Sequence, residues 1–223
     1  SSDGKSSGRP SPDVLPRTYS TERLDWSADS KRLLSEFIKR GFTGHGIIEY
    51  DVERRSWRRL VTEEDPKFVY SFSTRYRFDL DEHRTLWLSE RSGWLHLYSL
   101  DLKTGKTLDA VTGGQWVMKE VLKVDEQAGT ITLVALGRVP GENPYHQHIC
   151  RVGPGRAFVD LTPSDGNHEV TFSPDRKTLI DAASRVDQAP TYTLRSAQDG
   201  RAIATLGQAE LAPLLKAGWS PTK

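Results

Sequence analysis

The stretch LWLSERSGWLHLYSLDLKTGK, residues 86–106, decides the fold. Residues 86–90 and 94–101 read as two strands, whose successive side chains point to opposite faces. Between them lies Arg91-Ser92-Gly93, a turn. In the second segment Trp94, His96 and Tyr98 are expected on one face and Leu95, Leu97 and Ser99 on the other. Lys103-Thr104-Gly105-Lys106 then reads as a tight turn, with Gly105 supplying the positive φ such a hairpin needs. Strand, turn, strand, turn predicts antiparallel sheet.

The same grammar recurs on either side. Trp26, Phe78, Val124 and Phe172 each open a segment of apolar anchor, acidic turn, short strand, second strand, tight turn and last strand. The anchors stand about 52, 46 and 48 residues apart, a spacing found in propeller blades. GPGR at 153–156 and QDGR at 198–201 repeat the KTGK turn. Each repeat is thus one small sheet that cannot bury both faces alone and must stack on its neighbours. The fold predicted is all-β: four consecutive blades of a β-propeller, near 21–62, 72–113, 117–163 and 168–206, each a four-stranded antiparallel sheet. The anchor Trp, Phe and Tyr side chains are assigned to the core between blades. Leu33, Leu34, Phe37 and Ile38 have helical spacing, but the repeat places them on the second strand of the first blade, so a strand is expected there.

Residues 1–20 hold six Ser, three Pro and two Gly, the composition of a linker or disordered tail. The blades are assigned to 21–206, and 207–223 to a connector in which LAPLLKA, at 211–217, allows a helical turn or two broken by Pro213. The chain has 223 residues with Lys+Arg 31 against Asp+Glu 30, a net charge of +1. That balance argues against a nucleic-acid binder, which usually carries a basic excess. No apolar run is long enough to span a bilayer, and nothing at the start reads as a signal peptide, which suggests a mature or excised segment. Cys150 stands alone, so neither an internal disulfide nor a cysteine-based zinc cluster is expected.

Ser89-Glu90-Arg91-Ser92-Gly93-Trp94-Leu95-His96-Leu97-Tyr98 is similar to the recurrent SERDGWxHLY of the dipeptidyl peptidase IV family of serine exopeptidases, in the prolyl oligopeptidase clan. LKVDEQAGT at 122–130, PGENPYH at 140–146 and HICR at 148–151 resemble that family's next blade. VTFSPD at 170–175 and SRVDQAPTYT at 184–193 resemble its last. The likeness runs from about Thr18 to Trp219. It implies a seven- or eight-bladed, WD40-like propeller followed by an α/β-hydrolase domain, of which four blades fit the second half. The first and fourth blades are then not natural neighbours. Parts of the sets Leu33, Leu34, Phe37, Ile47, Ile48 and Val170, Phe172, Leu179, Ile180 are expected on exposed facing surfaces.

Candidate chemistry is sparse. The family's paired glutamates, which bind the substrate's free amine, belong to an earlier blade; Glu63-Glu64 imitate them but read as a solvated turn between blades. Gly218-Trp219-Ser220 begins like a nucleophile elbow, yet Pro221-Thr222 replace the small residues it needs and no strand is expected before it. His146 and His148 flank Gln147, a spacing that metals use on a strand, but no third ligand is evident nearby. Ser173, Asp175 and Thr178 fall in the order of the Asp-box turns of sialidases, without their Gly and final Trp. Arg54-Arg55 and Arg58-Arg59 around Trp57 read as a solvated outer strand, and Cys150 as a small core residue. No residue is therefore assigned as catalytic, cofactor-binding or metal-binding, and no cofactor is expected.

The resemblance implies a non-catalytic propeller that caps the active site of a serine peptidase and gates peptide access, with proteolysis by a Ser-His-Asp triad beyond Lys223. Its partners would be peptide substrate and a C-terminal α/β-hydrolase domain, with a homo-oligomer open, and the resemblance favours the periplasm or secretion. The alternatives are a free-standing module that binds proteins or peptides and a self-contained propeller enzyme such as a glycosidase.

Overall fold

The computed structural model describes residues 8–27, 29–69, 77–81 and 83–220. The chain divides into two compact units, Ser1–Val111 and Thr112–Lys223. Each holds two four-stranded antiparallel sheets, so the four blades of the partial propeller are present.

In the first unit, β1 (Thr18–Trp26), β2 (Arg32–Lys39), β3 (Gly44–Asp51) and β4 (Ser56–Glu64) pair in chain order. So do β5 (Arg77–Asp79), β6 (Arg84–Ser89), β7 (His96–Asp101) and β8 (Thr107–Ala110). The second unit repeats this with β9 (Val117–Asp125), β10 (Thr130–Leu136), β11 (Gln147–Val152) and β12 (Phe158–Asp160). Its other sheet is β13 (Asn167–Phe172), β14 (Thr178–Arg185), β15 (Gln188–Ser196) and β16 (Ala202–Gln208). Among the described residues one short α-helix, α1 (Ala212–Lys216), carries Pro213 in its first turn, where the missing N–H costs nothing.

Residues 33–39 form strand, as the repeat requires: Leu33 pairs with Trp26 and Tyr50, and Phe37 with Thr21 and Gly46. Helical spacing lost because β2 lies between two strands and is buried from Leu34 to Ile38. The first strand begins at Thr18, where Thr18 pairs with Lys39, so residues 18–20 belong to sheet rather than to the linker their composition suggests. Residues 1–7 of that linker, and 72–76 of the expected second blade, lie outside the described residues.

Each unit keeps its core between its two sheets. In the first, Leu34, Ile47, Leu60 and Val61 meet Trp87, Tyr98, Leu100 and Leu102. In the second, Val134, Ile149 and Leu161 meet Leu179 and Ala197, flanked by Val170 and Phe172. The anchors contribute less than expected. Trp26 is 60% exposed, and Phe78, Val124 and Phe172 are half-buried. All four sit on the first strand of a sheet, an edge with a neighbour on one side only. Trp94 does not share the strand face expected of it: β7 starts at His96, and Trp94 stands in the preceding turn, 41% exposed. Leu95, His96, Leu97 and Tyr98 are all buried, because the strand is covered on both faces. Of the sets expected to be exposed, Leu34, Phe37, Ile47, Ile48 and Leu179 are buried and Ile180 is not.

In the second and fourth sheets the hairpin between the third and fourth strands approaches the preceding sheet of the same unit. Gly105 has φ 72° and Gly200 φ 74°. A Cβ on Gly105 would fall 1.9 Å from the Leu60 carbonyl oxygen in β4, and one on Gly200 would fall 2.3 Å from the Asp160 carbonyl oxygen in β12. Glycine is required there twice over, for its backbone conformation and for the close approach.

Candidate functional site

The acidic turns that open the blades are built by side chains. Ser27 Oγ donates to Asp29 at 2.6 Å, and Asp29 accepts the Lys31 N–H at 3.0 Å. Ser173 and Asp175 repeat this at 2.7 Å, with the Lys177 N–H at 3.1 Å. Ser30 and Arg176 occupy the same left-handed position, φ 58° and 59°. The hydroxyl and the backbone N–H hold each carboxyl below the usual aspartate range. These aspartates are thus committed to turn geometry, and so is Thr178, whose N–H donates to Ser173 Oγ at 3.1 Å.

Glu63 and Glu64 are not a solvated turn. They are the last two residues of β4, paired with His45 and Gly44. Glu63 accepts the Trp87 indole N–H at 3.3 Å and is ion-paired with Arg91. Glu63 and Arg91, with His45, Glu64, Asp65, Phe68, Val69 and Glu90, line a cleft of about 290 Å³. The motif turn of residues 89–98 therefore serves to place Arg91, which also stacks its guanidinium 4.6 Å from the Tyr98 ring.

Three of the four arginines around Trp57 are engaged by neighbouring groups. Arg58 Nε donates to Glu49 Oε1 at 2.8 Å, Arg54 to Asp51 at 2.9 Å, and Arg59 to the Val14 carbonyl at 3.0 Å. Trp57 packs on Tyr50, ring centroids 5.0 Å apart. Cys150 is fully buried and its thiol lies 3.1 Å from Asp160 Oδ1. Burial first, and the Asp160 carboxylate second, push the thiol pKa up, so the residue is kept as an unreactive thiol. Ser220 follows α1 and its turn rather than a strand; Pro221 and Thr222 lie outside the described residues.

The second unit holds a dense polar arrangement. Gly141, with φ 87°, bends the 137–146 loop, and the link after β12 carries Ser164 and Asp165 to the start of β13. Asn167 Oδ1 joins these segments by accepting the Gln147 side-chain N–H at 3.1 Å. His148, on β11, has Nδ1 2.9 Å from the Thr162 carbonyl and Nε2 2.8 Å from Glu142 Oε2. His168, on β13, has Nδ1 2.7 Å from Asp181 and Nε2 2.6 Å from the Ser164 carbonyl. Asp181 in turn accepts from Arg195 Nε at 2.7 Å. The two rings lie 5.1 Å apart.

His146 precedes the strand rather than lying on it, so it does not share a face with His148. Its Nδ1 is 3.1 Å from Asp165 Oδ1, and Asp165 is also ion-paired with Arg185. The residues that sequence reading missed here are Glu142 and Asp165. Both lie in loops, and the signal available was only an acid four residues before His146 and another opening the next blade.

The sequence profile described as the dipeptidyl peptidase IV (DPP IV) N-terminal region matches residues 1–190. The chain belongs to the DPP IV N-terminal family. Among solved structures, the DPP IV propeller is similar to dipeptidyl peptidase 4 of Porphyromonas gingivalis, with TM-score 0.68 and 17% identity over 92% of this chain. It is also similar to a Bacteroides ovatus protein described as a dipeptidyl aminopeptidase IV, with TM-score 0.66 and 20% identity over 86% of this chain. At that identity the likeness is one of fold. The DPP IV N-terminal chain spans 29% of the length of either structure.

Proposed function

We propose that this chain is the non-catalytic propeller portion of a DPP-IV-like serine peptidase, where it caps the active site and limits entry to peptides and unfolded chain ends. The observation that carries the reading is the match of residues 1–190 to the DPP IV N-terminal region. Two features of the site agree with it. Glu63 is engaged by Arg91 and Trp87, leaving it poorly placed to receive a substrate amine. Ser220 lacks the preceding strand of a nucleophile elbow. Hydrolysis is assigned to a Ser-His-Asp triad in an α/β-hydrolase domain outside this chain, acting on peptides in the periplasm or after secretion.

The test is incubation of the purified chain and of the full-length protein with a chromogenic Xaa-Pro substrate and a serine-directed active-site probe. Turnover and labelling are expected from the full-length protein only. Stoichiometric labelling of this chain at Ser220 would overturn the reading. A full-length protein that binds peptides without cleaving them would establish the alternative of a binding module.

A further inference from the structure

Glu142, His146 and Asp165 each bring one donor atom into a space where all three lie within 4.8 Å of one another. Glu142 and His146 come from the loop before β11, and Asp165 from the link between β12 and β13, so the cluster bridges the third and fourth sheets. We propose that these three side chains bind a divalent transition-metal ion, with Zn²⁺ the best match.

The donor set selects the metal class. One imidazole nitrogen and two carboxylate oxygens suit zinc, which takes three protein ligands and leaves a fourth position for water. Calcium and magnesium prefer oxygen donors throughout. His146 is mostly buried and Asp165 remains 41% exposed, so an ion has a route in from solvent and the ligands are not sealed beneath the surface.

Both carboxylates are already oriented from behind, an arrangement that raises the affinity of metal ligands. Glu142 is held by His148 Nε2 at 2.8 Å, and His148 is itself buried and anchored on the Thr162 carbonyl at 2.9 Å. Asp165 is held through Oδ2 by Arg185, whose guanidinium is clamped in turn by Asp187 at 2.9 and 3.0 Å. Arg185 thus takes one oxygen of Asp165 and leaves Oδ1 facing His146 Nδ1 at 3.1 Å. The adjacent Arg185 charge opposes a cation, and Asp187, paired with that guanidinium, offsets it. An ion here would tie the 137–146 loop to the link that starts the fourth blade.

The experiment uses the full chain with any affinity tag removed, stripped by chelator and titrated with ZnCl₂, MgCl₂ and CaCl₂ in a calorimeter and in thermal melts. One Zn²⁺ per chain is expected, with a melting temperature that climbs with zinc concentration and does not respond to magnesium or calcium. His146→Ala and Asp165→Asn should each weaken zinc binding by about 10-fold or more, while their metal-free melts confirm that they fold. Co²⁺ in place of zinc should give visible absorption bands that His146→Ala abolishes. No zinc binding at micromolar concentration, or equal affinity in wild type and both variants, would overturn the site and leave the cluster as an ion-pair network.

Discussion

Gly105 and Gly200 are the residues on which blade contact turns, because each presses its backbone against the outer strand of the preceding sheet. Gly93 also has positive φ, 84°, but a Cβ there would meet nothing within 4 Å. The comparison separates backbone strain from steric overlap. Gly93→Ala is expected to cost about 1 kcal/mol, the penalty of the left-handed conformation alone. Gly105→Ala and Gly200→Ala are expected to cost about 2–4 kcal/mol, since a carbonyl oxygen must also move. Urea denaturation of the three variants tests this; equal losses at all three positions would remove the argument for close approach. At this scale the sequence was legible for the turns and opaque for the site. The Gly105 and Gly200 turns and the Ser-x-Asp turns act through residues close in sequence. Glu142 and Asp165 act across 23 residues, and their meeting depends on how β11 and β13 are placed.

Arg77, on β5, links two strands of different sheets. Its side chain is fully buried and donates twice to Asp79, at 2.9 and 2.6 Å, and once to Asp25 of β1 at 3.2 Å. Burial works against the charged form of Asp79, but the Arg77 guanidinium outweighs it and holds the carboxyl below the usual range. A carboxyl depressed in the folded state adds stability above its unfolded pKa and loses it as pH falls through the folded one. Stability should therefore be level near neutrality and decline below about pH 4, starting from the unfolded aspartate pKa of about 3.9. Asp79→Asn should be less stable at neutral pH and lose less on acidification. Urea midpoints across the range test this, and parallel profiles would refute it. Whether a strand is central or at an edge does not show in its alternation. That is why Trp26 looks like a core residue in sequence and is exposed on the edge strand β1, while β2, apolar enough to suggest helix, is a strand covered on both sides; Trp94 is exposed because it stands in the turn before β7. The position of Glu63 was missed for a related reason: β4 runs a turn's length further than its apolar residues indicate.

The molecule consists of two sheet pairs, each with a core of its own, and it ends its fourth sheet on an uncovered strand. Every residue of β16 is exposed. Ile203 and Leu206 in it, together with Tyr192 on β15 and Ile180 on β14, present apolar side chains to solvent. An apolar edge strand with unpaired backbone groups is a template for association. The isolated chain is expected to self-associate with rising concentration in sedimentation velocity, and Ile203→Lys with Leu206→Lys should shift it toward monomer. A chain that stays monomeric at all concentrations would contradict this. The glycine contacts have a further consequence, in the order of events during synthesis. Gly105 closes onto β4 and Gly200 onto β12, so in both pairs the later hairpin seats itself on a strand the ribosome has already released. Each pair can lock as soon as its last hairpin emerges, without waiting for the chain that follows.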